Sequence, residues 1–270
     1  MKKENTIWFS ANADAQRLST FGFRVLGGGA HQSKTMMLPE VESLLATGFS
    51  RPDDLKTAAI DDNVLGKSTA STRRLTFRHL CSLYGFIDQP PLTKALLKIW
   101  KLDPDNHQLL SLLVALSRDP LLRDTAESVL SADVGQILQR PDFENPLSTA
   151  HPNRFSEKMV RSMAQNCAST WTHSGHLKGR AKKSRQCIYA TPPTVAFAAL
   201  CATVAGFGGP AILSSAWMRV LDLSPEQAVD QLRRAEAQGL ARVRSAGDVI
   251  EISVRLPMAA ALGVPELEHV

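Results

Sequence analysis

The sequence predicts a mainly α fold: a helical bundle with helix-turn-helix or winged-helix modules at both ends and short β-hairpin wings. Three observations point there. Apolar residues recur at helical spacing through most of the 270 residues, helix caps and Gly or Pro stops punctuate them, and alternating strand patterns are confined to two short basic stretches. Charged residues make up 21% and apolar ones 44%, so the chain has the composition of a protein with a sizeable core rather than of a disordered one.

The start, MKKENTIWFSANADAQ, is expected to be frayed, and it has no apolar stretch of the kind that follows the lysines of a secretory signal. LPEVESLLATG reads as a first helix closed by Gly48. Ser50, with Pro52 in the first turn and Asp53 three residues on, is expected to cap a second. Ser68 or Thr69 begins a third, with Leu75, Leu80, Leu83 and Tyr84 turned inward and Arg73, Arg74 and Arg78 on the other face, close after Lys67. Three short helices, the third one basic, outline a helix-turn-helix unit.

From Pro91 the pattern stays helical: LTKALLKIWKL, then helices opened by Asp103-Pro104 and by Asp119-Pro120. Residues 139–154 hold three prolines and read as a linker. Ser156 caps the next helix, expected to run to about Trp171. HSGHLKGRAKKSRQCIYATPP then suggests two short strands around a basic tip. TVAFAALCATVAGF reads as a buried Ala-rich helix broken at Gly208-Gly209-Pro210, and SSAWMRVLDL as another. Ser224 and Gln227 form a capping box for the helix ending at Gly239. LARVRSAGDVIEISV alternates as a hairpin turning at Ala246-Gly247-Asp248, a winged-helix ending. The expected division is residues 1–145 as an N-terminal helical domain, 150–256 as a C-terminal winged-helix domain, and 257–270 as a tail.

Charge is distributed unevenly. Residues 151–190 carry eight basic side chains against one acid, Glu157, although the whole chain is only +5. A basic segment on a body otherwise close to neutral is the electrostatic footprint of a phosphate-binding surface; a solvated loop has the same composition. The candidate DNA-binding residues are therefore Lys67, Ser68, Thr69, Arg73, Arg74 and Arg78 on the basic helix, with Lys178, Arg180, Lys182, Lys183 and Arg185 on the basic loop. Arg233 and Arg234 share their helix with Glu226, Asp230 and Glu236, which makes the last unit a better protein-contact module than a DNA reader.

Other chemistries fit less well. Gly28 to Thr35 nearly matches a P-loop but has Ser33 in place of the second glycine, and the 65–69 stretch has Asp61 in place of the first. The glycines are expected to serve a turn or a close helix approach. Cys167, His173, His176 and Cys187 are too loosely spaced for a zinc site. No hydrolase signature is present, so no catalytic residue, metal or cofactor is expected. The four cysteines show no CxxC pairing and read as reduced thiols of a cytoplasmic protein. Residues 186–218 are free of charge over 33 positions, but the Gly-Gly-Pro break and Ala-rich composition favour a core helix over a membrane span.

Two anchors carry a family resemblance. L-G-G-G-A at 26–30 is followed by an acidic helix and D-D-N-V-L-G-K-S-T-A-S-T-R-R at 61–74. Further on come L-S-S-A-W-M-R-V-L-D-L-S at 213–224 and Q-G-L-A-R-V-R-S-A-G-D-V-I-E-I at 238–252. In this order, over most of residues 21–255, the chain resembles the BrxA family of bacterial BREX bacteriophage-resistance systems. The resemblance implies a non-enzymatic, mainly helical accessory protein that binds double-stranded DNA. It also implies action beside other BREX proteins: a methyltransferase, a PglZ-type protein and a large ATPase. A helical middle of this family has been compared with RNA-binding antitermination factors. Only Lys67, Arg73 and Arg74 carry over by position; the loop 178–185 rests on its charge. An assembly scaffold without direct DNA contact is the alternative expectation.

Overall fold

The computed structural model describes residues 7–246 and 249–270, so Gly247 and Asp248 of the expected turn, and the first six residues, lie outside it. The protein is mainly α with two small antiparallel sheets. Helices α1 (Ala15–Phe21), α2 (Leu38–Leu45), α3 (Pro52–Ile60) and α4 (Ala70–Tyr84) come first. They are followed by α5 (Pro91–Leu102), α6 (His107–Arg118), α7 (Pro120–Asp124) and α8 (Ala126–Leu130). Next come β1 (Ile137–Leu138), α9 (Pro141–Ala150), α10 (Glu157–His173), β2 (Leu177–Lys178) and β3 (Lys183–Arg185). The chain closes with α11 (Pro192–Val204), α12 (Pro210–Ser214), α13 (Ala216–Arg219), α14 (Pro225–Glu236), β4 (Arg242–Ala246), β5 (Val249–Ser253) and α15 (Arg255–Leu262).

Local chemistry explains most boundaries. The Thr69, Ser156 and Ser224 side chains accept backbone N–H bonds at the starts of α4, α10 and α14, and Gln227 completes the capping box. Arg51, not Ser50, occupies the capping position of α3, which starts on Pro52 without a side-chain cap. Leu80, Leu83 and Tyr84 point inward as expected, but Leu75 is exposed and Phe77 is buried in its stead. The helix expected from Asp119-Pro120 is two short ones, α7 and α8, meeting at Thr125.

The supposed linker at 139–154 is mostly helix α9. Pro141 sits in its first turn, where a missing N–H costs nothing. Pro146 lies inside the helix and strands the Asp142 carbonyl; the Ser128 hydroxyl donates to that oxygen at 2.6 Å, replacing the lost bond.

One hydrophobic cluster runs through both halves of the chain. Helices α6 and α11 are buried on nearly every side, and the α11 sequence accordingly lacks a polar stripe. No helix among the described residues is long and apolar enough to cross a membrane. From residue 7 the N-terminus is not frayed. Trp8 meets Trp217 edge-on at 4.9 Å, Phe23 stacks on Trp217 at 5.3 Å, and the Trp217 indole donates to the Trp8 carbonyl at 2.9 Å. The Asp103 carboxylate, between α5 and α6, accepts from Thr191 and Thr194 at the start of α11. Residues 257–270, expected as a tail, are folded: Met258, Leu262, Leu267 and Val270 are buried. Helix α14 leads directly into the β4–β5 hairpin, the element order expected of a winged-helix ending.

Candidate nucleic-acid interface

The basic loop is a built wing. Helix α10 ends at His173, Gly175 turns the chain at φ +87°, and β2 and β3 form the expected hairpin. Gly179 is obligatory there: it sits at φ +117°, and a methyl group on it would lie 2.1 Å from the Lys182 carbonyl oxygen. The sequence did not reveal the third strand. β1 pairs with the other edge of β3, Ile137 opposite Ser184 and Leu138 opposite Lys183, so β3 is central.

The five basic side chains divide into two kinds. Lys178, Arg180 and Lys182 are exposed and form no ion pair among the described residues. Lys183 is half-buried, donates to the Thr172 hydroxyl at 2.7 Å, and has its pKa lowered by burial. Arg185 is buried. Its Nε donates to the Val129 carbonyl at 2.9 Å, and its guanidinium pairs with Asp222 and reaches the Gln186 carbonyl. It therefore anchors the wing to α8 and the α13–α14 turn, and its burial keeps it from a phosphate at the surface.

The basic helix α4 divides similarly. Lys67 pairs with Glu40 at 2.8 Å, Thr69 is spent on its cap, and Arg73 donates to the Ile60 carbonyl at 2.8 Å. Ser68 is exposed. Arg74 and Arg78 are exposed, one turn apart, and line a shallow depression with Ser71 and Leu75. The Glu40 that holds Lys67 and the Lys183 of the wing both act electrostatically on His173, whose pKa is lowered by burial and by Lys183 against the pull of Glu40.

Between the wing and helices α9 and α10 lies a cleft of about 590 Å³. Arg140, Arg161, Arg180 and Lys183 line it, and no carboxylate does. Glu144 stands behind the rim, 3.7 Å from Arg140 and 4.0 Å from Arg161. Arg140 could not be placed from sequence because the segment bearing it looked like a linker; Arg161 was visible only as part of the basic count.

A constellation with triad-like distances also occurs. His31 Nδ1 is 2.6 Å from Asp119 and Nε2 is 2.7 Å from the Thr170 hydroxyl. All three are fully buried, and Thr170 Oγ1 already accepts the Met36 N–H at 2.9 Å, so no substrate could reach the hydroxyl. The network ties residues 30–37 between α10 and α4, whose Tyr84 donates to the Met36 carbonyl. The Gly28–Gly29 turn belongs to it: a methyl on Gly29 would lie 1.7 Å from Asp119 Oδ1. Cys167, His173, His176 and Cys187 do not converge; no metal-ligating cluster exists among the described residues. His176 is held instead by Ser174 and the Val220 carbonyl.

These features define a class, a mainly helical protein bearing a basic three-stranded wing over a cationic cleft. No protein-family model matches the chain, and no curated protein matches it.

Proposed function

We propose that the protein is a non-enzymatic double-stranded DNA-binding accessory component of a BREX-type antiphage defence system, gripping the phosphate backbone with its basic wing. The observation that carries this is the unpaired state of Lys178, Arg180 and Lys182 on a hairpin whose base is locked by the buried Arg185–Asp222 pair. Exposed cations on a rigid support neutralise phosphates without first breaking internal bonds. Arg74 and Arg78 on α4 extend the contact, while Arg73, Lys67 and Arg185 support the surface rather than touch DNA. The defence role rests on the family resemblance of the two sequence anchors.

A scaffold role for other BREX proteins is favoured by one feature beside the wing: Tyr189 is 84% exposed and Val134 68%, side chains suited to a protein contact. Fluorescence anisotropy with a labelled duplex tests the DNA reading. Binding that weakens steeply from low to physiological salt supports it; absence of binding at low salt leaves the scaffold.

A further inference from the structure

We infer that the cleft between the wing and helices α9 and α10 is a binding site for a nucleoside 5′-phosphate, sharing Arg180 with the proposed duplex-facing side of the wing but not Lys178 or Lys182. Its size, about 590 Å³, lies in the range of small-molecule sites. Its lining combines three kinds of side chain. The floor is apolar, formed by Leu138, Phe143, Ala164 and Ala168, and suits the flat face of a base. Gln139 and Gln165 bring side-chain amides, which carry both donors and acceptors for a base edge. Arg140, Arg161, Arg180 and Lys183 supply cations around the opening for the phosphate.

Charge and one hydrogen bond act along the rim. Glu144 lies within 4.0 Å of both Arg140 and Arg161 on one side of the opening, an electrostatic attraction with no hydrogen bond. On the other side Lys183 is steadied by Thr172. A planar guanidinium offers both a bidentate grip on phosphate and a face for stacking, so Arg140 and Arg161 serve either end of such a ligand. A plain inorganic anion would leave the apolar floor unused, and an uncharged nucleoside would leave Arg180 and Lys183 without an anionic partner. The combination selects a molecule carrying both parts.

Calorimetric titration of the full chain with 5′-AMP, adenosine and inorganic phosphate tests this. The expected result is one AMP per chain, with adenosine and phosphate each at least roughly tenfold weaker. Arg161→Ala removes an exposed rim cation, and Ser169→Phe fills the cleft without changing its charge; each should weaken AMP by roughly tenfold or more at an unchanged thermal midpoint. AMP binding no tighter than phosphate, or unaltered in Arg161→Ala, overturns the inference. So does an absence of heat at millimolar AMP. A Lys178→Glu, Lys182→Glu variant separates the two readings: it should lose duplex binding and keep AMP. Duplex binding that survives with no AMP binding sinks the cleft alone, and the reverse sinks the DNA reading alone.

Discussion

Replacing Lys178, Arg180 and Lys182 together by alanine removes three exposed cations and no internal hydrogen bond to their side chains. If each neutralises one phosphate, the slope of log affinity against log salt should flatten by about 2.7, at about 0.9 per contact. At 0.15 M salt the same relation gives each contact about 1 kcal/mol, so the triple variant should bind about a hundredfold more weakly. The measurement is anisotropy of a labelled 20-base-pair duplex at several salt concentrations, with circular dichroism as a check on folding. An unchanged slope in a folded variant would refute the assignment of the wing to the DNA interface. Arg185 must be left out of this experiment. A variant that included it would confuse loss of contact with loss of structure.

Four further outcomes follow from the same geometry. Arg185→Ala leaves Asp222 without its guanidinium partner and should cost about 3 kcal/mol in urea unfolding, without the selective salt effect of the tip variant. Gly29→Ala forces a methyl to 1.7 Å from the Asp119 carboxylate and should cost about 3 kcal/mol, whereas Gly48→Ala, with no atom within 4 Å but φ +75°, should cost about 1 kcal/mol from backbone strain. Burial, against the pull of the Val220 carbonyl and Asp222, lowers the His176 pKa from 6.5 to about 4. Between those values the unfolded chain takes up a proton that the fold refuses. Stability should therefore fall on acidification from pH 6.5 to 4, by up to about 3 kcal/mol, and His176→Gln should flatten that window in a thermal-midpoint series. Asp119 acts lower. Burial raises its pKa, but the His31 charge and its hydrogen bonds outweigh this and hold it below 3.8, so its contribution is complete above that value and declines as the pH falls through the folded-state value. Asp119→Asn should remove this lower acid limb while sparing the one due to His176.

Where structure is encoded locally, the sequence is easy to read. Caps at Thr69, Ser156 and Ser224 need only the next three residues; those at Ser156 and Ser224 form as their spacing predicts, and of Ser68 and Thr69 it is Thr69 that caps α4. The hairpin at 177–185 is announced by its glycine and its basic tip. What escapes is long-range or compensated. Pro146 reads as a helix breaker because nothing nearby in sequence reveals that Ser128 repairs the Asp142 carbonyl. β1 is two residues long and becomes a strand only because β3 lies beside it. The same limit applies to the site. Its total charge could be counted, but which cations face solvent depends on partners far along the chain: Glu40 for Lys67, Ile60 for Arg73, Val129 and Asp222 for Arg185. Arg140 joins the cleft only because the segment that bears it folds against α10.

The glycine run at 27–29 sharpens the point about nucleotides. A P-loop uses glycines so that backbone N–H groups can close around an external phosphate. Here Gly29 lets the backbone close around the chain's own anion: the His31 N–H donates to Asp119 at 2.8 Å, and from the other side the Leu121 N–H donates at 3.0 Å. The His31 ring adds a further bond at 2.6 Å, and the carboxylate is wholly buried. A phosphate could enter this nest only by displacing Asp119, which would open the contact between the N-terminal segment, α7 and α10. The motif that most resembles a nucleotide site in sequence is thus occupied by an internal carboxylate. The cations proposed here for anion recognition are those that stay open to solvent, on the wing and around the cleft beneath it.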